Sequence, residues 1–128
     1  MKNLTQAEEQ VMQVLWKIKK GFVHDILEHF PEPKPAYTTV STIIRILEKK
    51  GFAGHKSYGK SHEYYPLISR SEYSSGYLKR FVRNYFNNSY PALGSFLAKE
   101  KNVNVGDLEE IKKAIEKEIQ KLKEDRND

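Results

Sequence analysis

The 128-residue chain contains no cysteine. That single absence excludes disulfide scaffolds, thiolate zinc sites, iron–sulfur clusters and cysteine nucleophiles together. Long apolar runs are missing too: no stretch approaches the roughly 20 residues that span a bilayer, and Met1 to Gln10 is polar where a signal peptide carries its apolar centre. A soluble, cytoplasmic protein with no membrane partner is expected. There is no phosphate-binding glycine loop, no Gly-x-Ser-x-Gly elbow and no zinc-protease motif. His24, His29, His55 and His62 fall at no spacing that pairs two ligands on one helical turn, so they read as surface or hairpin-packing residues. No catalytic residues, no metal and no cofactor are expected, and the chain is not read as an enzyme.

What is present is positive charge. The formal net charge is +5, with 22 Lys and Arg against 17 Asp and Glu. Residues 1–70 hold 11 cations against 7 anions, whereas residues 71–128 hold 11 against 10, so the excess lies in the N-terminal half. Such a balance favours an anionic partner, nucleic acid among them. The length fits one ordinary domain or two small ones, and a core of about 60 residues is marginal alone, so a second copy is a natural source of the missing apolar burial.

Thr5 and Glu8 have the spacing of a capping box, in which each side chain satisfies the other's free backbone donor. A first helix should start there, carry Val11, Leu15 and Ile18 at helical spacing with Met12, Val14 and Trp16 beside them, and end at Gly21. Val23, Ile26, Leu27 and Phe30 predict a short second helix, closed by prolines at 31, 33 and 35 that make a stiff connector. Tyr37 to Lys50 predicts a third helix with Val40, Ile43, Ile44 and Leu47 inward and Gly51 as its stop. At 100° per residue its opposite side carries Thr38, Thr42, Arg45 and Lys49, with Ser41 nearby. Phe52 to Ser57 and His62 to Pro66 read as a β-hairpin around the turn Tyr58-Gly59-Lys60-Ser61.

A broad apolar face on Ser71 to Asn88, formed by Tyr77, Leu78, Phe81, Val82, Tyr85 and Phe86, demands a partner. A shorter helix follows over Tyr90 to Glu100. Asn104 then caps a last helix to about Glu124, with the final four or so residues read as disordered. Leu108, Ile111, Ile115, Ile119 and Leu122 form a stripe near the 3.5-residue repeat of helices that pair. The dimerisation residues expected from these two faces are Leu78, Phe81, Val82, Tyr85, Leu108, Ile111, Ile115, Ile119 and Leu122.

Three helices followed by a hairpin is the order of a winged helix, in which helix three enters the major groove and the hairpin flanks the DNA. Helix three suits that task. Thr38, Ser41 and Thr42 are short hydrogen-bonders near its N-terminus, and Arg45 can bridge guanine O6 and N7 or hold a phosphate. Lys49, Lys50, Lys56 and Lys60 suit phosphate. The fold class is therefore mainly α with a small β-hairpin wing: an N-terminal winged helix-turn-helix over residues 1–70 and a helical dimerisation region over residues 71–128.

Specific segments also resemble the BlaI/MecI family of penicillinase repressors along nearly the whole length. They are Leu4-Thr5-Gln6-Ala7-Glu8 with Val11-Met12 and Leu15-Trp16, then Ala36-Tyr37-Thr38-Thr39-Val40, Leu47-Glu48-Lys49-Lys50-Gly51-Phe52, and Tyr64-Tyr65-Pro66-Leu67. The resemblance implies a homodimer that represses transcription from double-stranded operator DNA, with C-terminal helices interlocking between subunits. It carries the DNA-contacting role onto Thr38, Thr39, Thr42 and Arg45; Thr39 rests on the resemblance alone. It also implies a regulatory protease that cuts an Asn-Phe bond in the C-terminal half, where this chain has Ser95-Phe96, a departure from the pattern. Copper-responsive relatives carry a cysteine-rich tail, which is absent here. Two other readings remain: a protein-interaction module that keeps the winged-helix shape without binding duplex DNA, and a single-strand binder using the hairpin tyrosines as stacking platforms.

Overall fold

A computed structural model describes residues 3–127. Element order is α1 (Gln6–Ile18), α2 (Val23–Glu28), α3 (Tyr37–Lys49), β1 (Ala53–Tyr58), β2 (Ser61–Pro66), α4 (Arg70–Phe86), α5 (Tyr90–Ala98) and α6 (Val105–Asn127). The chain forms two compact units, Met1–Lys79 and Arg80–Asp128, and the division falls within α4. The mainly helical architecture with one small antiparallel hairpin is the one expected.

In the first unit the local signals act as read. Thr5 Oγ1 accepts from the Glu8 amide at 3.1 Å and Glu8 Oε1 accepts from the Thr5 amide at 2.9 Å, closing the capping box at the start of α1. Val11, Met12, Val14 and Leu15 then pack with Val23, Ile26, Val40, Ile44 and Leu47 into the core beneath α3. The unit runs past residue 70 because Tyr73 joins this core: its ring lies 5.8 Å from Trp16 and 5.9 Å from Phe52, and its hydroxyl donates to Glu9.

Gly21 does not end α1. The helix stops at Ile18, Lys19 takes a φ of 74°, and Gly21 pairs as an isolated bridge with Tyr64 through bonds of 2.9 and 2.8 Å. A Cβ on Gly21 would meet Ile18 Cδ1 at 2.8 Å, so what that position needs is close approach. Gly51, at φ 84°, does terminate α3. Phe30 lies beyond the six-residue α2, yet its side chain is still buried in the core.

The hairpin register runs from Ala53↔Pro66 to Tyr58↔Ser61, leaving Gly59 and Lys60 as a two-residue turn with Gly59 at φ 62°. Because side chains alternate, His55, Ser57, His62 and Tyr64 share one face of the hairpin, and Lys56, Glu63 and Tyr65 share the other.

Within the second unit, Phe81, Phe86 and Phe96 form an aromatic chain with centroid distances of 5.5 and 5.4 Å. Asn104 and Asp107 cap α6 reciprocally, Asn104 Oδ1 accepting from the Asp107 amide at 2.8 Å. That helix continues to Asn127, so three of the four terminal residues read as disordered are helical; Asp128 lies outside the described residues. Val82 is buried, whereas Ile115, Ile119 and Leu122 are 54, 44 and 62% exposed.

An ion pair fastens α1 to the end of α3. Lys50 Nζ reaches both carboxylate oxygens of buried Glu8, at 2.8 and 3.0 Å. Burial by itself pushes the Glu8 carboxyl up, but the Lys50 hydrogen bond, the Thr5 amide and the Lys50 charge together hold it below the usual glutamate value. A depressed carboxylate contributes stability that is complete above its unfolded value and lost as pH falls through its folded one. Lys50→Met, which strands the carboxylate, should lower unfolding free energy by about 2 kcal/mol at pH 7. Urea titrations should show the deficit shrinking toward pH 4, where protonated Glu8 no longer needs the cation. Equal stability of variant and parent at both pH values would show that the pair contributes nothing.

Candidate nucleic-acid interface

The inward side of α3 is set by Val40, Ile44 and Leu47, all fully buried, and that fixes what faces out. Thr38, Thr39, Thr42, Arg45 and Lys49 are exposed and Ser41 is half-buried. Tyr37 and Ile46 are exposed as well, which the periodicity reading of a polar outer face missed. The N-cap is Ala36, which supplies no side-chain acceptor, so the first-turn amides of α3 remain open for an external anion. Arg45 Nε donates to the Ser41 carbonyl at 3.2 Å, which steadies the arm, and its two terminal nitrogens make no other hydrogen bond among the described residues.

Beside α3 the wing closes a polar cleft of about 270 Å³. Tyr37, Ser41 and Arg45 line it from α3, Lys60, Ser61, His62 and Tyr64 from the hairpin, and Phe22, Val23 and His24 from the start of α2. Of the residues singled out for DNA, the cleft thus joins Ser41, Arg45 and Lys60. Lys56 stands elsewhere: it belongs to the other hairpin face, with its ammonium 5.3 Å from the Tyr58 ring centroid. Lys50 is drawn inward to Glu8 and is no longer an outward cation.

The histidines are more organised than their sequence spacing implied. His55 Nδ1 is hydrogen-bonded to the Glu48 carboxylate, tying β1 to α3, and the His55 and His62 rings stack at 4.0 Å between centroids and 5° between planes. Tyr64 beneath them is pushed above the usual tyrosine value by burial, then by the Glu48 charge, with Arg45 pulling the other way. Alternation around a two-residue Gly59-Lys60 turn is the signal that would have placed both rings on one face. Among the described residues no cluster of three or more His, Asp or Glu is arranged to hold a metal ion. No helix among them is long and apolar enough to cross a membrane.

Three helices, an antiparallel wing and an outward-facing third helix define a winged helix-turn-helix protein. The chain belongs to the penicillinase repressor family, whose model matches residues 4–117. It is 25% identical over 115 residues to the methicillin resistance regulatory protein MecI of Staphylococcus aureus strain N315, covering 89% of this chain and 94% of that one. Against the penicillinase repressor of Bacillus licheniformis it is 21% identical over 122 residues, covering 94 and 95%. The solution structure of the DNA-binding domain of the repressor BlaI superposes with a TM-score of 0.49 at 28% identity, over 57% of this chain and 94% of that domain.

Proposed function

We propose that the protein is a transcriptional repressor that binds duplex DNA sequence-specifically, as a homodimer on a palindromic operator. The observation that carries this reading is the outward face of α3, where Thr38, Thr42 and Arg45 are exposed beside a wing that ends in Lys60. Short hydroxyls and a guanidinium are the groups that read base edges in a major groove, and lysines at the periphery hold phosphates. Membership of the penicillinase repressor family, and the likeness to the penicillinase repressor of Bacillus licheniformis over 95% of its length, support the same reading. Thr39 and Lys49 extend the face, and Lys56 contributes from the far side of the wing.

The dimer is proposed to form through residues 71–128, with the α6 stripe of Leu108, Ile111, Ile115, Ile119 and Leu122 as its seam and Leu78, Phe81 and Tyr85 of α4 in support; Val82 is already buried within its own chain and offers no surface to a partner. Half-sites then lie about one helical turn, or a multiple of it, apart. A regulatory protease acting at Ser95-Phe96 belongs to the same reading. That bond lies inside α5, and so the helix must open before a protease can take it as an extended segment.

Selection from a pool of random duplexes, followed by sequencing of the bound fraction, tests this function. A two-fold-symmetric site is the expected product; absence of duplex enrichment at low salt would favour the protein-interaction module. Repeating the selection with Arg45→Ala separates two roles. A loss of about 1 to 3 kcal/mol with discrimination relaxed at one base pair per half-site identifies a base reader. A uniform loss on all sequences identifies a phosphate clamp.

A further inference from the structure

The cleft between α3 and the wing brings an arginine, a lysine and a histidine together from two elements, with no carboxylate among its lining residues. We infer that Arg45, Lys60 and His62 form a clamp for one phosphodiester of the DNA backbone, and that seating this phosphate draws a proton onto His62. The inference rests on the DNA-binding reading and adds to it a specific subsite and a dependence on pH.

His62 is set apart from its neighbours by its partners. His24 has Asp25 Oδ1 at 3.3 Å from its Nε2, and His55 is bonded to Glu48, so each of those imidazoles already faces a carboxylate. His62 has none among the described residues. The groups around it are the stacked His55 on β1, Tyr64 on β2, Tyr37 and Arg45 on α3, His24 on α2 and Lys60 in the turn, with the Glu48 carboxylate of α3 beyond His55 and bonded to it. A charged His62 therefore shares one cleft with two permanent cations, and nothing in the cleft itself offsets them. A phosphate entering between α3 and the wing supplies the missing anion. Proton and phosphate then favour each other by the same free energy, whichever arrives first. Imidazole is the side chain that changes charge between about pH 5 and 8, so the coupling falls in an accessible range. The sign follows: affinity for duplex rises as pH falls.

A clamp on a phosphodiester needs no particular base sequence, so a fluorescein-labelled duplex of random sequence at low salt is a sufficient probe for the full-length protein. Anisotropy titrations should show affinity rising by roughly tenfold from pH 8 to pH 6, since each proton taken up on binding contributes up to tenfold per pH unit. For His62→Gln the ratio of affinities between pH 6 and pH 8 should fall to within about twofold of unity, whatever its affinity at pH 8. Its salt dependence should stop steepening on acidification, whereas the parent's should steepen. His62→Phe, which keeps a flat ring on His55 without a charge, repeats the test should glutamine disturb the wing. An identical response to pH in parent and both variants would overturn the clamp, as would a parent with no response. Absence of duplex binding by the parent at every pH is a different outcome: it overturns the DNA-binding reading itself, and the clamp with it.

Discussion

Ile115→Asp is expected to convert the proposed dimer, of twice the 15.0 kDa chain mass, into a monomer, and to weaken duplex binding by about two to four orders of magnitude. The argument starts from exposure. Ile115 is 54% exposed in the single chain, as are Ile119 at 44% and Leu122 at 62%, on a helix whose other exposed side chains are largely Lys and Glu. Covering one such isoleucine is worth about 1.5 to 3 kcal/mol, and an uncompensated carboxylate at the same place reverses the sign. Two-fold symmetry puts the charge into the seam twice, once from each copy. Because Ile115 belongs to no core of its own chain, the substitution leaves the first unit's packing intact, and its near-UV dichroism should be unchanged. The loss of affinity follows from geometry: two half-sites held by one dimer act through a high effective concentration, which a monomer lacks. Sedimentation equilibrium decides the first half of the prediction and anisotropy the second. A variant that keeps the parent's dimer mass would remove α6 from the interface.

How far the fold could be read in advance depended on how local its causes are. The capping box of Thr5 and Glu8, the stop at Gly51 and the hairpin around Gly59-Lys60 are decided within three or four residues, and each was legible. Lys19 was not. A lysine at positive φ carries no compositional mark; it turns the chain so that Gly21 can pair with Tyr64, a demand that comes from 43 positions away. The place of Tyr73 has the same kind of cause, since only Trp16, Phe52 and Glu9 together define its position in the first unit's core. In the candidate site, the outer face of α3 was legible because 3.6-residue periodicity fixes it once Val40, Ile44 and Leu47 point inward. The pairing of His55 with Glu48 and its stack on His62 were not, because they need the hairpin register and the position of α3 at once. Lys50 shows the converse error: its neighbours' charge suggested phosphate, and the capping glutamate of a different helix claims it.

Raising salt from 50 to 200 mM should lower the affinity of the proposed dimer for its operator by about three to five orders of magnitude. Each chain carries a formal +5, and a dimer doubles it, but net charge sets only the long-range attraction. The slope depends on how many phosphates are neutralised. Arg45, Lys49 and Lys60 are outward cations around the proposed groove, with Lys56 on the far face of the wing, while Lys50 is spent on Glu8 and does not count. Three to five contacts per protomer give roughly six to ten per dimer, and each contributes about −0.9 to the slope of log affinity against log salt. A monomeric Ile115→Asp variant makes only one protomer's contacts, so its slope should be about half the parent's. That ratio ties the two predictions together. Parent and variant with the same slope would mean that the parent reads DNA with one subunit at a time, and the symmetric-operator model would fail even if dimer mass and DNA binding were both confirmed.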